Sequence, residues 1–203
     1  MSQKVIFLIL TIFFNINGIK IQQGTPPGSS STPFISSFGD MLTSKKVDNF
    51  NMMFQYNVPT DLVTSITGGT GTVTSTLPFA VLTSSTNGTG SALLESKQKL
   101  RYLPAHEGYA CFSSTFTTGI SNSIQYIGLI DDNDGWAIGY NGTAFSIFWK
   151  RGGNNVSDYP LAQTNFNLDH LDGTGPSKMI LDPTKLNIYR ISFGWLGVAP
   201  ITF

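Results

Sequence analysis

Acid–base or metal chemistry in this 203-residue chain would have to draw on two histidines, twelve acidic residues and a single cysteine. The pairs His106-Glu107 and Asp169-His170 set an imidazole beside a carboxylate. Chain neighbours on a strand point to opposite faces, however, so adjacency alone makes no dyad, and both histidines read as exposed loop residues. A serine nucleophile on a sharp turn needs Gly-x-Ser-x-Gly, and Gly119-Ile-Ser-Asn-Ser123 lacks the second glycine. Glycoside hydrolysis needs two carboxyl groups facing across a cleft; Glu95 and Glu107 are the only glutamates, and no Asp stands out for the role. Asp131-Asp-Asn-Asp-Gly135 invites a calcium reading. With Gly135 at the sixth position of an EF-hand loop, though, Ile130 falls on the first and Asn141 on the twelfth, where carboxylates are required. The segment reads as a solvated turn. Gly68-Gly-Thr-Gly71 has no Lys-Ser or Lys-Thr after it and so is no phosphate loop. Cys111, being alone, forms no intrachain disulfide and no Cys-based zinc site, and reads as a small buried hydrophobe in a strand. The residues thus nominate no catalytic group, no metal ligand and no cofactor.

Two weaker kinds of chemistry remain. Asn87-Gly-Thr89, Asn141-Gly-Thr143 and Asn155-Val-Ser157 are acceptor sequences for N-linked glycans in a secreted chain. Asn87 and Asn155 suit exposed loops, whereas Asn141 has a competing role in a tight hairpin. Trp136, Trp149 and Trp195 are candidates for stacking on sugar rings wherever they are exposed.

The elements that position these residues are strands. Charged residues make up 12% of the chain, about half the usual share, while Gly, Phe, Ser and Thr crowd it. That composition favours pleated, half-buried surfaces joined by turns. Residues 1–21 form a hydrophobic leader or arm: one Lys, then an apolar run from Val5 to Phe14, then Asn15-Ile-Asn-Gly18. A cleavable signal peptide, a retained arm buried in an assembly and a membrane anchor all fit it. Residues 22–33, rich in Pro, Gly and Ser, read as a linker, and residues 34–203 as one domain. Residues 64–76 read as a loop flanked by edge strands. Residues 123–150 read as a three-stranded meander, with Asn141-Gly142 as a type I′ turn. Trp136, Ile138 and Tyr140 share one face, and Phe145, Ile147 and Trp149 one face of the next strand. Further strands are expected over 92–103, 108–117 and 187–195, and one helical turn near 168–171. The chain ends inside a strand, which suits a fragment or a strand that pairs with a neighbouring chain. The fold class expected is all-β, an antiparallel, jelly-roll-like β-sandwich.

Five blocks carry a likeness: Leu100-Arg-Tyr-Leu-Pro104, Gly135-Trp-Ala-Ile-Gly-Tyr-Asn-Gly-Thr143, Phe166-Asn-Leu-Asp-His-Leu-Asp-Gly-Thr-Gly-Pro-Ser177, Leu181-Asp-Pro-Thr-Lys185 and Tyr189-Arg-Ile-Ser-Phe-Gly-Trp-Leu-Gly197. In order, and spanning Phe34 to Phe203, they resemble a family of uncharacterised virion structural or surface proteins of large DNA viruses and tailed phages. The resemblance implies a non-enzymatic capsid-associated, fibre or tail-type module in the virion or outside the cell. Its partners would be copies of itself or other virion proteins. Family members tend to continue past the position of Phe203, and the hydrophobic leader departs from their pattern. The alternative is a secreted carbohydrate-binding or adhesin module that meets host-surface glycans. Twelve basic residues against twelve acidic ones leave no basic block for nucleic acid. Membrane contact is expected only through the leader.

Overall fold

The computed structural model describes residues 50–84, 88–99, 107–194 and 200–203. The leader, the linker, His106, Asn87 and Trp195 lie outside the described residues. Ten strands follow in chain order: β1 (Val63–Gly68), β2 (Thr72–Thr76), β3 (Phe79–Thr83), β4 (Ser91–Ser96), β5 (Gly108–Ser114), β6 (Ile124–Ile130), β7 (Gly135–Asn141), β8 (Ala144–Lys150), β9 (Pro160–Ala162) and β10 (Asn187–Phe193). The only helical pieces among the described residues are two 3₁₀ turns, Val156–Asp158 and Gln163–Asn165. Every strand pair is antiparallel. The fold is all-β.

Four strands in the order β6-β7-β8-β9 make the main sheet; β5 with β10, β1 with β4 and β2 with β3 make two-stranded ribbons. The main sheet and the β5–β10 ribbon face each other as the layers of a sandwich, each burying its apolar face against the other. From the sheet come Ile127, Ile138, Tyr140 and Phe145; from the ribbon, Phe112, Tyr189 and Ile191. Phe116 sits at the centre of this layer. Its ring meets Tyr140 at 6.2 Å, Phe145 at 5.9 Å and Tyr189 at 5.8 Å, all edge to face, the arrangement that ring quadrupoles favour. The remaining ribbons add Val63, Ala80, Leu82, Ala92 and Leu94 to the same core, with Met52 and Phe54. The other face of the main sheet buries a smaller cluster of Ile124, Ala137 and Phe148, bordered by Tyr126 and Val156.

The meander over 123–150 forms with the expected strands and faces, and its register sets Trp136 opposite Trp149, Ile138 opposite Ile147 and Tyr140 opposite Phe145, two residues along from the pairing that an Asn141-Gly142 turn would give. Its second turn differs from the expectation. Asn141 is the last residue of β7 and pairs with Ala144, so the corner is Gly142-Thr143, with positive φ at Gly142 alone. Positive φ at the first central residue only is the pattern of a type II′ turn, which also follows the strand twist. In the 64–76 stretch only residues 69–71 remain outside strands, because its Thr residues extend β1 and β2 almost to the glycines. The helical turn near 168–171 does not form: the Asp169 carboxylate takes the Leu171 N–H at 2.8 Å, and Leu171 itself has a φ of 53°. At the end of the chain, Thr202 pairs with Ser192 of β10 through two backbone bonds, 3.0 and 2.9 Å.

Candidate functional site

Strand register builds one row of large side chains across the main sheet. Leu129 on β6 opposes Trp136 on β7, and Trp136 opposes Trp149 on β8. The Trp149 N–H reaches the Tyr159 carbonyl at 3.3 Å, just before β9, so Tyr159 is next in line. The inner half of the row is core: Trp136 is half-buried with its ring 4.9 Å from that of Phe193. The outer half is surface. Trp149 and Tyr159 are each 48% exposed, their rings 6.3 Å apart and tilted by 49°. The Arg151 guanidinium lies 5.7 Å from the Trp149 ring centre, within range of a cation–π contact. In the neighbouring row Leu161 opposes Ile147 and is also exposed, which extends the apolar strip along the β9 edge. Of the three tryptophans nominated from sequence, then, Trp149 stands in solvent, Trp136 belongs largely to the core and Trp195 is outside the described residues. The sequence pattern does not point to Tyr159, Arg151 or Leu161. Tyr159 and Leu161 lie in a polar, Pro-interrupted segment whose strand is three residues long, and only its pairing with β8 brings them beside Trp149, whereas Arg151 follows Trp149 by two residues in the chain.

The acidic loop next to this strip is a brace. Asp131 Oδ1 accepts the N–H of Asn133 at 2.8 Å and of Asp134 at 2.9 Å, and these bonds, the Asp134 one foremost, hold its carboxyl below the usual range. Lys150 Nζ donates to the Asp131 carbonyl at 2.9 Å, and Gly152 N–H to Asp134 Oδ1 at 3.1 Å. The carboxylates thus fix the loop carrying Arg151. Among the described residues, no three His, Cys, Asp or Glu side chains converge on a metal position.

The same economy governs residues 169–185. Asp169 accepts the N–H groups of Leu171 and Ser177, both at 2.8 Å, and presses on Gly175, where an added Cβ would meet Asp169 Oδ1 at 2.1 Å. Asp172 and Asp182 each accept the hydroxyl and the N–H of the Thr two residues on. All three carboxyls are held below their ordinary range, with side-chain bonds from Ser177, Thr174 and Thr184 respectively as the leading cause. Half-buried His170 follows Asp169 in the chain, but the Asp169 carboxylate is committed to Leu171 and Ser177.

Cys111 departs from the buried-hydrophobe expectation. It is half-buried on the outer face of the β5–β10 ribbon, its thiol 2.8 Å from the Tyr109 hydroxyl. Burial, followed by that contact, pushes the Tyr109 phenol up to about 12, while Arg190 lies 5.7 Å from its ring centre. Of the acceptor asparagines, Asn141 is half-buried in the β7–β8 hairpin, and Asn155 is exposed at the start of the first 3₁₀ turn.

Together these features define an antiparallel all-β module with an exposed aromatic strip on one sheet edge and carboxylate-braced loops. Comparison with known proteins found no matching family model, no similar characterised protein and no similar solved structure.

Proposed function

We propose that this chain is a virion structural or surface module that works by associating with copies of itself or with other virion proteins, without turnover. The observation that carries the reading is the exposed apolar side chain of Ile188 on β10, the strand whose side away from β5 takes Thr202 as a partner. Ser192 aims its N–H and C=O at Thr202, away from β5. In an antiparallel ladder alternate residues point the same way, so Ile188 and Arg190 aim theirs along that edge too. Ile188 is 73% exposed, a large apolar side chain beside exposed Arg190, and contact with a second chain would take its apolar surface out of water. The ordered sequence blocks supply the virion context.

Sedimentation across a concentration series tests this. Association that weakens with Ile188→Lys, at unchanged circular dichroism, is the expected result; a strictly monomeric protein missing from purified particles would sink the reading.

The exposed Trp149–Tyr159 pair favours a second reading, a carbohydrate-binding or adhesin surface. Glycan-array binding that disappears with Trp149→Ala would support it, and an array silent with the native chain would remove it.

A further inference from the structure

Of the three acceptor sequences, the two whose asparagines lie within the described residues, Asn141 and Asn155, are unequal in structure. Asn141 ends β7, is paired to Ala144 and sits in a hairpin that the 119–123 segment packs against: Gly142 N–H donates to the Ser123 carbonyl at 2.7 Å, and a Cβ on Gly119 would meet the Gly142 carbonyl oxygen at 2.4 Å. A branched sugar there would have to displace that packing. Asn155 is exposed, with extended backbone at φ −67° and ψ 147°, and its N–H is held by the Asp158 carboxylate at 3.0 Å.

Asn155 also stands on the rim of a hollow of about 140 Å³, whose lining includes Ile124, Tyr126, Val156 and Lys150. That volume is well below the roughly 300 Å³ at which pockets begin to enclose a free small-molecule ligand. A sugar tethered at the rim needs far less enclosure, since the covalent bond has already met the entropy of association. The floor is the edge of the smaller core cluster: Ile124 is buried, Val156 half-buried, and the half-buried Tyr126 ring packs on Phe148 at 6.3 Å. Tyrosine offers an apolar face to sugar C–H groups, and the Lys150 ammonium offers donors to sugar oxygens.

We infer that Asn155 is an N-glycosylation site whose first sugar covers this hollow; the inference rests on the virion-surface reading only in requiring a secretory route. Asn155 Nδ2 forms a bond to C1 of an oligosaccharide carried on a lipid pyrophosphate, the C1–O bond breaks, and the lipid pyrophosphate leaves with the bonding electrons while the amide loses a proton. A host transferase supplies the donor.

The test is the full chain expressed in a eukaryotic secretory host, with its intact mass measured before and after N-glycosidase treatment. The expected result is a glycosidase-sensitive mass that survives Asn141→Gln, while Asn155→Gln and Ser157→Ala each remove the Asn155 glycopeptide. A secreted or a cytosol-retained chain with Asn155 unmodified overturns the proposal and leaves the association experiment standing; a glycosylated chain that never associates does the reverse. Hydrogen exchange over residues 124–126 should be slower in the glycosylated form, and equal exchange would overturn the seating of the sugar.

Discussion

Tyr189 and Phe116 touch in the same core and have opposite weaknesses. Phe116 is 3% exposed and completes three edge-to-face contacts, so Phe116→Ala removes the ring and leaves a cavity bounded by rigid aromatics. A loss of about 3–5 kcal/mol is expected, read from the urea midpoint at unchanged slope. Among the described residues the Tyr189 hydroxyl is buried without a hydrogen-bond partner; the nearby Asn187 amide already donates to the carbonyls of Asp182 and Lys185. Removing that oxygen deletes an uncompensated desolvation cost and little else. Tyr189→Phe should therefore leave stability within about 1 kcal/mol of native or raise it. A drop of the size expected for Phe116→Ala would show that the hydroxyl has a partner after all.

At the level of elements, glycine decides where strands close. A Cβ at Gly139, in the middle of β7, would lie 1.9 Å from the Gln125 carbonyl oxygen on β6, whereas a Cβ at Gly152 meets nothing within 4 Å. Gly152 does have a φ of +61°, which an alanine resists at roughly 1–2 kcal/mol. Gly139→Ala must instead force paired backbones apart, so it should cost more and raise amide exchange along β6 and β7; equal effects of the two variants would contradict the register. The meander was legible in the sequence because Trp136, Ile138 and Tyr140 alternate cleanly and turn residues bound each run. The β5 and β10 strands were legible for the same reason, although the alternation runs on past the ends of their pairing. What stayed hidden was set by pairing rather than pattern. β9 is three residues with a proline, too short to show a period, and Tyr159 becomes a neighbour of Trp149 only through it. Asp169 defeats the helical turn near 168–171 through side-chain bonds to backbone that spacing does not reveal. The candidate surface was therefore half visible, through Trp149 and Asn155, while Arg151, Tyr159 and the hollow under Asn155 needed the fold.

For the whole molecule, the charged and phenolic groups set a pH window with unequal sides. Asp131, Asp169, Asp172 and Asp182 have folded pKa values below the ordinary 3.8, so their contribution is fully present above that value and is lost as pH falls through the folded ones. These carboxylates lie at or near the surface, Asp169 half-buried and the rest exposed, and solvent screens them, so the acid side should be gentle. The alkaline side differs. Tyr109, Tyr126, Tyr140 and Tyr189 all have phenols pushed above the ordinary 10.0, with burial as the leading cause in each. A phenol whose folded pKa is raised keeps a proton that the unfolded chain releases, so stability is unaffected below about pH 10 and falls as pH rises beyond it. Of the four, Tyr140 and Tyr189 belong to the core between the two layers, and Tyr189, the more deeply buried, would tolerate an added charge least. The urea midpoint should accordingly hold nearly level from about pH 5 to 9 and decline steeply between about pH 10 and 12. Tyr189→Phe should make that decline shallower while leaving the acid side untouched. A midpoint that is flat from about pH 9 to 11 would mean that these phenols are wet, and with them the interior that the sandwich is argued to enclose.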